Sequence, residues 1–529
     1  MVTSAHPLAS QAGLEILQSG GNAIDAAIAT TLAISVVEPY SAGLGGGGFA
    51  LYHGGKQTEA LDFRERAPQA ATANMYLDKD GKPIKNASIN GHKSVGIPGT
   101  IAGLAELHRK HGKLPWKTLV TPAIRLAEQG FPVSQQYLDA LGWRSKVLQQ
   151  DPEASRIFLR NGGLPKIGTS IIQTDLAKTL ASVAEDPNSF YNGTVAKAIV
   201  KDMQTQGGII TESDLRGYKP LWRDPICGPF RQFQVCSMPP PSSGGVHLLQ
   251  ILNMLDDGKL QASDWHQVDH LHKFIETLRI AYADRAVHLG DPAFTTVPVK
   301  ALTSKSYAAK RRKEIDPARA KTSAEVQATT PAQLKESQET SHLTVIDQDR
   351  NAISLTFTIN LSFGAGVVAK GTGIVLNNEM DDFATAPNTP NAFGLTGNQA
   401  NAIAPGKTPL SSMTPTIVLE NNQPRLVVGA PGGSTIITTV TQVILNTLVF
   451  DMDIKRAIAA PRLHHQWLPD RTRIDRHGFD PTTVELLRKR GHKIEETGSW
   501  GNANGIMVLP DGSLEGSADP RGEGTAMGY

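Results

Sequence analysis

The period of hydrophobic and polar positions changes several times along the chain, and the changes mark its elements. Residues 7–19 carry apolar side chains at helical spacing and stop at Gly20-Gly21. Asn22 then caps a second predicted helix, residues 23–37. Within it, residues 26–37 are the longest apolar stretch, but Thr30, Thr31 and Ser35 interrupt it. It falls short of the roughly 18 apolar residues a membrane span needs, so it reads as a buried helix. Gly45-Gly46-Gly47-Gly48 leads into strand-like residues 49–52. Helical patterns return at residues 99–111, 116–129 and 265–282. Residues 310–339 are polar and poor in large apolar side chains, which predicts a surface helix followed by a mobile linker.

From Thr340 the period shortens. Strand-like runs follow at residues 342–346, 352–358, 373–376, 415–419 and 425–428. Pro431-Gly432-Gly433 then opens a long apolar helix, residues 434–450, and another helix is expected near residues 481–490. Helices, paired strands and helices again predict an α+β body with two sheets stacked between helical layers.

Composition narrows the function classes. A formal net charge of +2 and the lack of a basic run with interleaved aromatics argue against nucleic acid as a partner. The first residues have neither a basic n-region nor an apolar h-region, so the chain is either cytoplasmic or carries a signal peptide that has been trimmed. Cys227 and Cys236 flank a predicted hairpin, residues 228–235. A free buried pair and a disulfide both fit them.

Candidate chemistry centres on Thr340, at the head of the first strand-like run. A threonine needs a nearby base to act as a nucleophile, and its own α-amine serves if the chain is cut before it. Thr358 ends the next run, so a hairpin of the two runs would set it beside Thr340. Gly432 and Gly433 stand at a helix start, where outward N–H groups favour negative charge. Glu379, Asp381 and Asp382 crowd one turn. They could hold a divalent cation, but no companion histidine or calcium-loop spacing accompanies them, and an ammonium group suits them equally. Arg64 follows a strand and could fork onto a carboxylate. Ser411 and Ser412 offer adjacent hydroxyls. Gly43 to Gly48 follows no strand, so it marks close backbone packing and not a dinucleotide site. His464-His465 match no zinc spacing.

With these pieces together the chain resembles the γ-glutamyltranspeptidase (γ-glutamyltransferase) family of N-terminal-nucleophile hydrolases. The resemblance spans nearly the whole sequence. It rests on His6-Pro7-Leu8-Ala9-Ser10, Gly20 to Ala27, Gly45 to Phe49, Pro239 to Gly245, Leu410 to Pro415 and Ala518-Asp519-Pro520-Arg521. It implies a four-layer αββα sandwich made as one precursor, cut between Glu339 and Thr340 into a large chain, residues 1–339, and a small chain, residues 340–529. It also implies Thr340 as nucleophile with its α-amine as base, Thr358 as its supporting hydroxyl, and Gly432 and Gly433 as the oxyanion hole. Arg64, Ser411 and Ser412 would hold the glutamyl α-carboxylate, and Asn360, Glu379 and Asp382 its α-ammonium.

The resemblance further implies donors such as glutathione, with water, amino acids or dipeptides as acceptors. No cofactor or metal is implied, and a periplasmic or secreted location is expected. Glu339 stands where many members carry a neutral residue, Ser341 replaces a second threonine, and Phe393 in a lid-like loop, residues 387–407, replaces a tyrosine. Two alternatives keep the fold: a glutaryl (cephalosporin) acylase, or an uncut relative that only binds.

Overall fold

The computed structural model describes residues 1–326, 340–384, 391–392, 395 and 399–529. Two antiparallel sheets stack at its centre. The first runs in the order Thr525–Met527, Val2–Ser4, Ser341–Ile346, Ala352–Thr358, Gly47–Gly54, Gln57–Phe63, Leu221–Arg223. The second runs Leu514–Ala518, Asn504–Val508, Gln423–Gly429, Thr416–Glu420, Phe233–Ser237, Ile226–Phe230. Each sheet therefore mixes strands from before and after Thr340.

Strand alternation sorts the layers. Leu343, Val345, Ile353, Leu355 and Phe357 leave one face of the first sheet and join a core with helices Pro7–Gln18, Ala23–Val37 and Trp116–Gln129. The opposite face carries His342, Thr344, Ser354 and Thr356, all buried between the sheets. This inner layer is held by polar contacts. Ser354 Oγ donates to the Val428 carbonyl at 3.1 Å and accepts from the Thr416 amide at 3.0 Å. The second sheet covers its outer face with helices Gly244–Leu255, Val268–His288 and Thr435–Leu448. The layering is the αββα order expected.

The apolar stretch after Asn22 is the most enclosed helix, with every residue from Ala23 to Val37 buried. Asn22 and Asp25 form a reciprocal capping box, as the sequence indicates. Its small residues allow close approach: a Cβ on Gly13 of the neighbouring helix would meet Thr30 Oγ1 at 2.2 Å.

Three expectations change, and one open alternative is decided. The helix predicted at residues 265–282 spans Val268–His288 and so reaches Arg285. The helix placed at the start of residues 310–339 is Lys305–Arg312. The chain after it is anchored up to Val326: the Ala320 amide donates to the Arg490 carbonyl at 2.7 Å, and the Ser323 carbonyl accepts from Trp467 Nε1 at 3.0 Å. Residues 327–339 lie outside the described residues. Lastly, Cys227 and Cys236 face each other in the hairpin register and are joined as a disulfide.

Candidate active site

Strand register builds the centre of the site. Ser341 pairs with Phe357, so Thr340 and Thr358 stand opposite each other one step further along. Both share the parity of His342 and Thr356 and project between the sheets. Thr340 Oγ1 donates to Thr358 Oγ1 at 3.3 Å, and both residues are buried. Thr358 Oγ1 also accepts from the Asn360 amide at 2.8 Å. The glycine run brings its own backbone against this strand: a Cβ on Gly46 would lie 1.9 Å from the Thr358 carbonyl. Close packing, as expected, is what those glycines provide.

The second sheet delivers Gly432 and Gly433. They follow strand Gln423–Gly429 and precede helix Thr435–Leu448, with φ of 128° and 53°. Among the described residues neither N–H has a hydrogen-bond acceptor, while both carbonyls accept from the first helical turn. The turn is braced from behind. Ser434 Oγ donates to Gln466 Oε1 at 2.6 Å, His464 Nε2 meets the same oxygen at 2.8 Å, and Tyr282 OH donates to the Ser434 carbonyl. Burial pushes the His464 imidazole down to about 4, so it acts here as a neutral strut. His465 turns the other way, to Arg279 and Asp470.

Arg64 follows strand Gln57–Phe63 directly and is buried. It does not stand apart from the carboxylates. Its Nη1 lies 2.5 Å from Glu379 Oε1 and its Nη2 lies 2.5 Å from Asp382 Oδ2. Glu65 Oε2 is 3.9 Å away. The acidic turn is thus a buried ion cluster, not a solvated loop. Asp381 turns aside to Ser88 Oγ and the Ala392 amide. Among the described residues no group of carboxylates, histidines or cysteines is arranged to hold a metal ion.

Burial raises the Glu379 and Glu65 carboxyls, with the attraction of Arg64 opposing it and their neighbouring carboxylates adding to the rise for Glu379. Several acceptors in this cluster lack donors. Glu379 Oε2, both oxygens of Glu65 and Asn360 Oδ1 are buried without a hydrogen bond, and Glu379 Oε1 has only its ion pair with Arg64. The Asn360 amide group meanwhile donates to the Asn378 carbonyl at 2.9 Å. Buried acceptors of this kind are costly unless a partner arrives.

Ser411 and Ser412 are buried on the far side of the same cavity. Ser411 Oγ accepts from the Met413 amide at 3.1 Å, and Ser412 Oγ accepts from Arg285 Nη2 at 3.1 Å. Arg285 was not singled out by the sequence because the predicted helix stopped at Tyr282. Arg64, Arg285, Thr340, Thr358, Asn360, Glu379, Asp382, Ser411, Ser412 and Gly433 all line this space, of about 20 Å³. That is room for roughly one water molecule, so an acyl group must part the cluster as it enters. Thr340 also borders a wide cleft of about 620 Å³, with Glu38, Asp139, Trp143, Trp500 and Glu523 on its walls. The nucleophile candidate therefore stands between a narrow charged chamber and an open one. Glu339 and Phe393 lie outside the described residues.

A sequence profile of the gamma-glutamyltranspeptidase family matches residues 9–529. The glutathione hydrolase proenzyme of Escherichia coli (strain K12) is 45% identical over 526 residues, 98% of this chain and 90% of that one. Among solved structures, a cephalosporin acylase from Bacillus halodurans aligns with a TM-score of 0.87 at 32% identity, covering 100% of this chain and 96% of that one. The gamma-glutamyltranspeptidase of Helicobacter pylori aligns with a TM-score of 0.60 at 41% identity, covering 61% of this chain and 94% of that one. The match over almost the whole length, on a fold of the same layering, identifies this chain as a member of the gamma-glutamyltranspeptidase family.

Proposed function

We propose that this protein cuts itself before Thr340 and then transfers γ-glutamyl groups from glutathione and related donors to water, amino acids or short peptides. In the precursor, Thr340 Oγ attacks the carbonyl of residue 339, and an N-to-O acyl shift gives an ester that water releases. The freed α-amine of Thr340 then takes the hydroxyl proton as Oγ attacks the γ-carbonyl of the donor. Thr358 holds that oxygen in line. The N–H groups of Gly432 and Gly433 receive the developing oxyanion, a role worth about 3–4 kcal/mol per donor. Collapse expels the amine of the donor and leaves a γ-glutamyl ester on Thr340. Water or an acceptor amine entering through the wide cleft resolves it. No cofactor takes part in these steps.

The observation that carries this reading is the set of unmatched acceptors beside Arg64. Glu379 Oε2 and Asn360 Oδ1 are buried oxygens lacking donors, Glu379 Oε1 is met only by Arg64, and an α-ammonium brings N–H groups that these acceptors can receive. Glu65, Glu379 and Asp382 crowd three carboxyl groups around Arg64, and an ammonium beside them would favour their ionised forms. A glutaryl group has no ammonium and would leave those acceptors unmet, which weighs against the acylase reading raised by the Bacillus halodurans enzyme. The Cys227–Cys236 disulfide supports a periplasmic or secreted setting.

The test compares release of p-nitroaniline from γ-glutamyl and glutaryl anilides, with N-terminal sequencing of the smaller fragment. The reading requires threonine 340 at that terminus and preference for the γ-glutamyl substrate. A single uncut band after long incubation, or a glutaryl preference, would overturn it.

A further inference from the structure

A second buried guanidinium, beyond the Arg64 the sequence points to, stands at the Ser411-Ser412 end of the chamber. Arg64 commits both terminal nitrogens to Glu379 and Asp382. Arg285 is equally buried, lines the same chamber, and among the described residues has no carboxylate within ion-pair distance. Its hydrogen-bond partners among the described side chains are hydroxyls: Nη2 donates to Ser412 Oγ at 3.1 Å and Nε donates to Ser243 Oγ at 3.0 Å. Ser243 in turn fixes the preceding residue of the pair. Its hydroxyl and its amide both donate to the Ser411 carbonyl at 2.8 Å. One guanidinium therefore grips Ser411-Ser412 at both ends, directly and through Ser243.

This grip also sets the polarity of the two hydroxyls. A serine oxygen that accepts an N–H keeps its own proton for donation. Ser412 Oγ accepts from Arg285 and Ser411 Oγ accepts from the Met413 amide, and among the described residues neither hydroxyl donates to another protein group. Two O–H donors backed by a guanidinium that no carboxylate pairs directly form a receptor for an anion.

We propose that Arg285 is a positioning residue for the donor's α-carboxylate: it turns the Ser411 and Ser412 hydroxyls into donors and adds positive charge behind them, beside that of Arg64. The proposal deepens the γ-glutamyl reading and rests on it. It predicts that the two ends of the zwitterion are read by separate groups. Removing Arg285 should harm recognition of the carboxylate and spare that of the ammonium.

Arg285→Gln and Arg285→Lys, made in the full chain, test this with γ-glutamyl p-nitroanilide as substrate. Glutarate, which keeps the carboxylate and lacks the ammonium, and 4-aminobutyrate, which does the reverse, serve as competitive inhibitors. For Arg285→Gln the KM and the Ki of glutarate should each rise about 10–100-fold, the range expected for losing a charged hydrogen bond. The Ki of 4-aminobutyrate should stay at the wild-type value, and kcat should change by less than about threefold. Arg285→Lys should recover part of the glutarate affinity. Equal weakening of both inhibitors, or none of either, would overturn the proposal. If the Arg285 variants fail to fold or to cut, Ser243→Ala gives the same readout, since it severs the link to Ser411. A selective loss of glutarate binding supports the proposal there, and unchanged inhibition by both ligands counts against it. Wild-type protein inactive on γ-glutamyl anilide would sink the γ-glutamyl reading itself, whatever the variants do.

Discussion

Thr340 Oγ1 lies 3.3 Å from Thr358 Oγ1, across a hairpin whose register sets the two residues opposite each other. Thr358 is held in turn by the Asn360 amide, so its oxygen cannot drift from the strand axis. Thr358→Val keeps the shape and removes the hydroxyl. Its kcat should fall about 10–100-fold, the equivalent of roughly 1.5–3 kcal/mol, with little change in KM. Steady-state kinetics on fully cut protein reads this directly. A KM effect with unchanged kcat would place Thr358 in binding and not in support of the nucleophile. Thr340→Ala should abolish both cutting and turnover, as judged on a denaturing gel and by anilide release.

The Gly432-Gly433 turn, the proposed oxyanion hole, makes a second demand. Gly432 sits at φ 128°, where an L side chain is strained, and an added Cβ would meet Thr435 Oγ1 at 2.4 Å. Gly432→Ala should therefore tilt the turn and misdirect both N–H groups. The expected loss is about 10²–10³ in kcat, the usual cost of removing an oxyanion donor. Binding of glutamate as a competitive inhibitor should survive, because the charged groups lie across the cavity. Loss of glutamate binding in parallel would mean the whole chamber had collapsed.

How much of this was legible in the sequence depends on what each feature needs. The Thr340–Thr358 pair needed only strand parity and a hairpin, both local, and the capped helix after Asn22 needed only its pattern. The Gly432-Gly433 turn was visible as glycines before a helix. The charged chamber was only half visible. Arg64, Glu379 and Asp382 could be picked out as residue types, but their mutual contact depends on residues more than 300 positions apart meeting in space. Arg285 was missed because the helix that carries it is buried nearly all round, and its end could not be read from periodicity. The helices between residues 135 and 217 pack on the core beneath the first sheet and likewise gave no chemical signal.

Strand interleaving predicts the behaviour of the cut protein. Val2–Ser4 lies between Thr525–Met527 and Ser341–Ile346, and the second sheet joins Phe233–Ser237 to Thr416–Glu420. A cut before Thr340 severs neither sheet. The two fragments should elute as one species in size-exclusion chromatography under native conditions and separate only on denaturation. Dissociation in native buffer would mean that these shared sheets contribute less than their burial implies.

The buried cluster around Arg64 predicts a pH dependence of stability that one substitution should remove. Burial holds the Glu65 carboxyl up at about 7, opposed by Arg64 and raised further by Asp382, and the Glu379 carboxyl is raised in the same way. A carboxyl raised in the folded state binds its proton more tightly there than in the unfolded chain. Its contribution is complete below the unfolded value near 4.5 and is lost as pH rises through the folded value near 7. The loss is at most roughly 3 kcal/mol, shared within the pair. Melting temperature should therefore decline between about pH 5 and 8 in the wild type, and Glu65→Gln, which stays neutral throughout, should flatten that decline. Bound glutamate should oppose the decline, since its ammonium rewards the ionised cluster, so ligand-induced stabilisation should grow over the same range. Melting curves at several pH values, with and without glutamate, separate these effects. Identical slopes for wild type and Glu65→Gln would show that the cluster holds no proton of consequence.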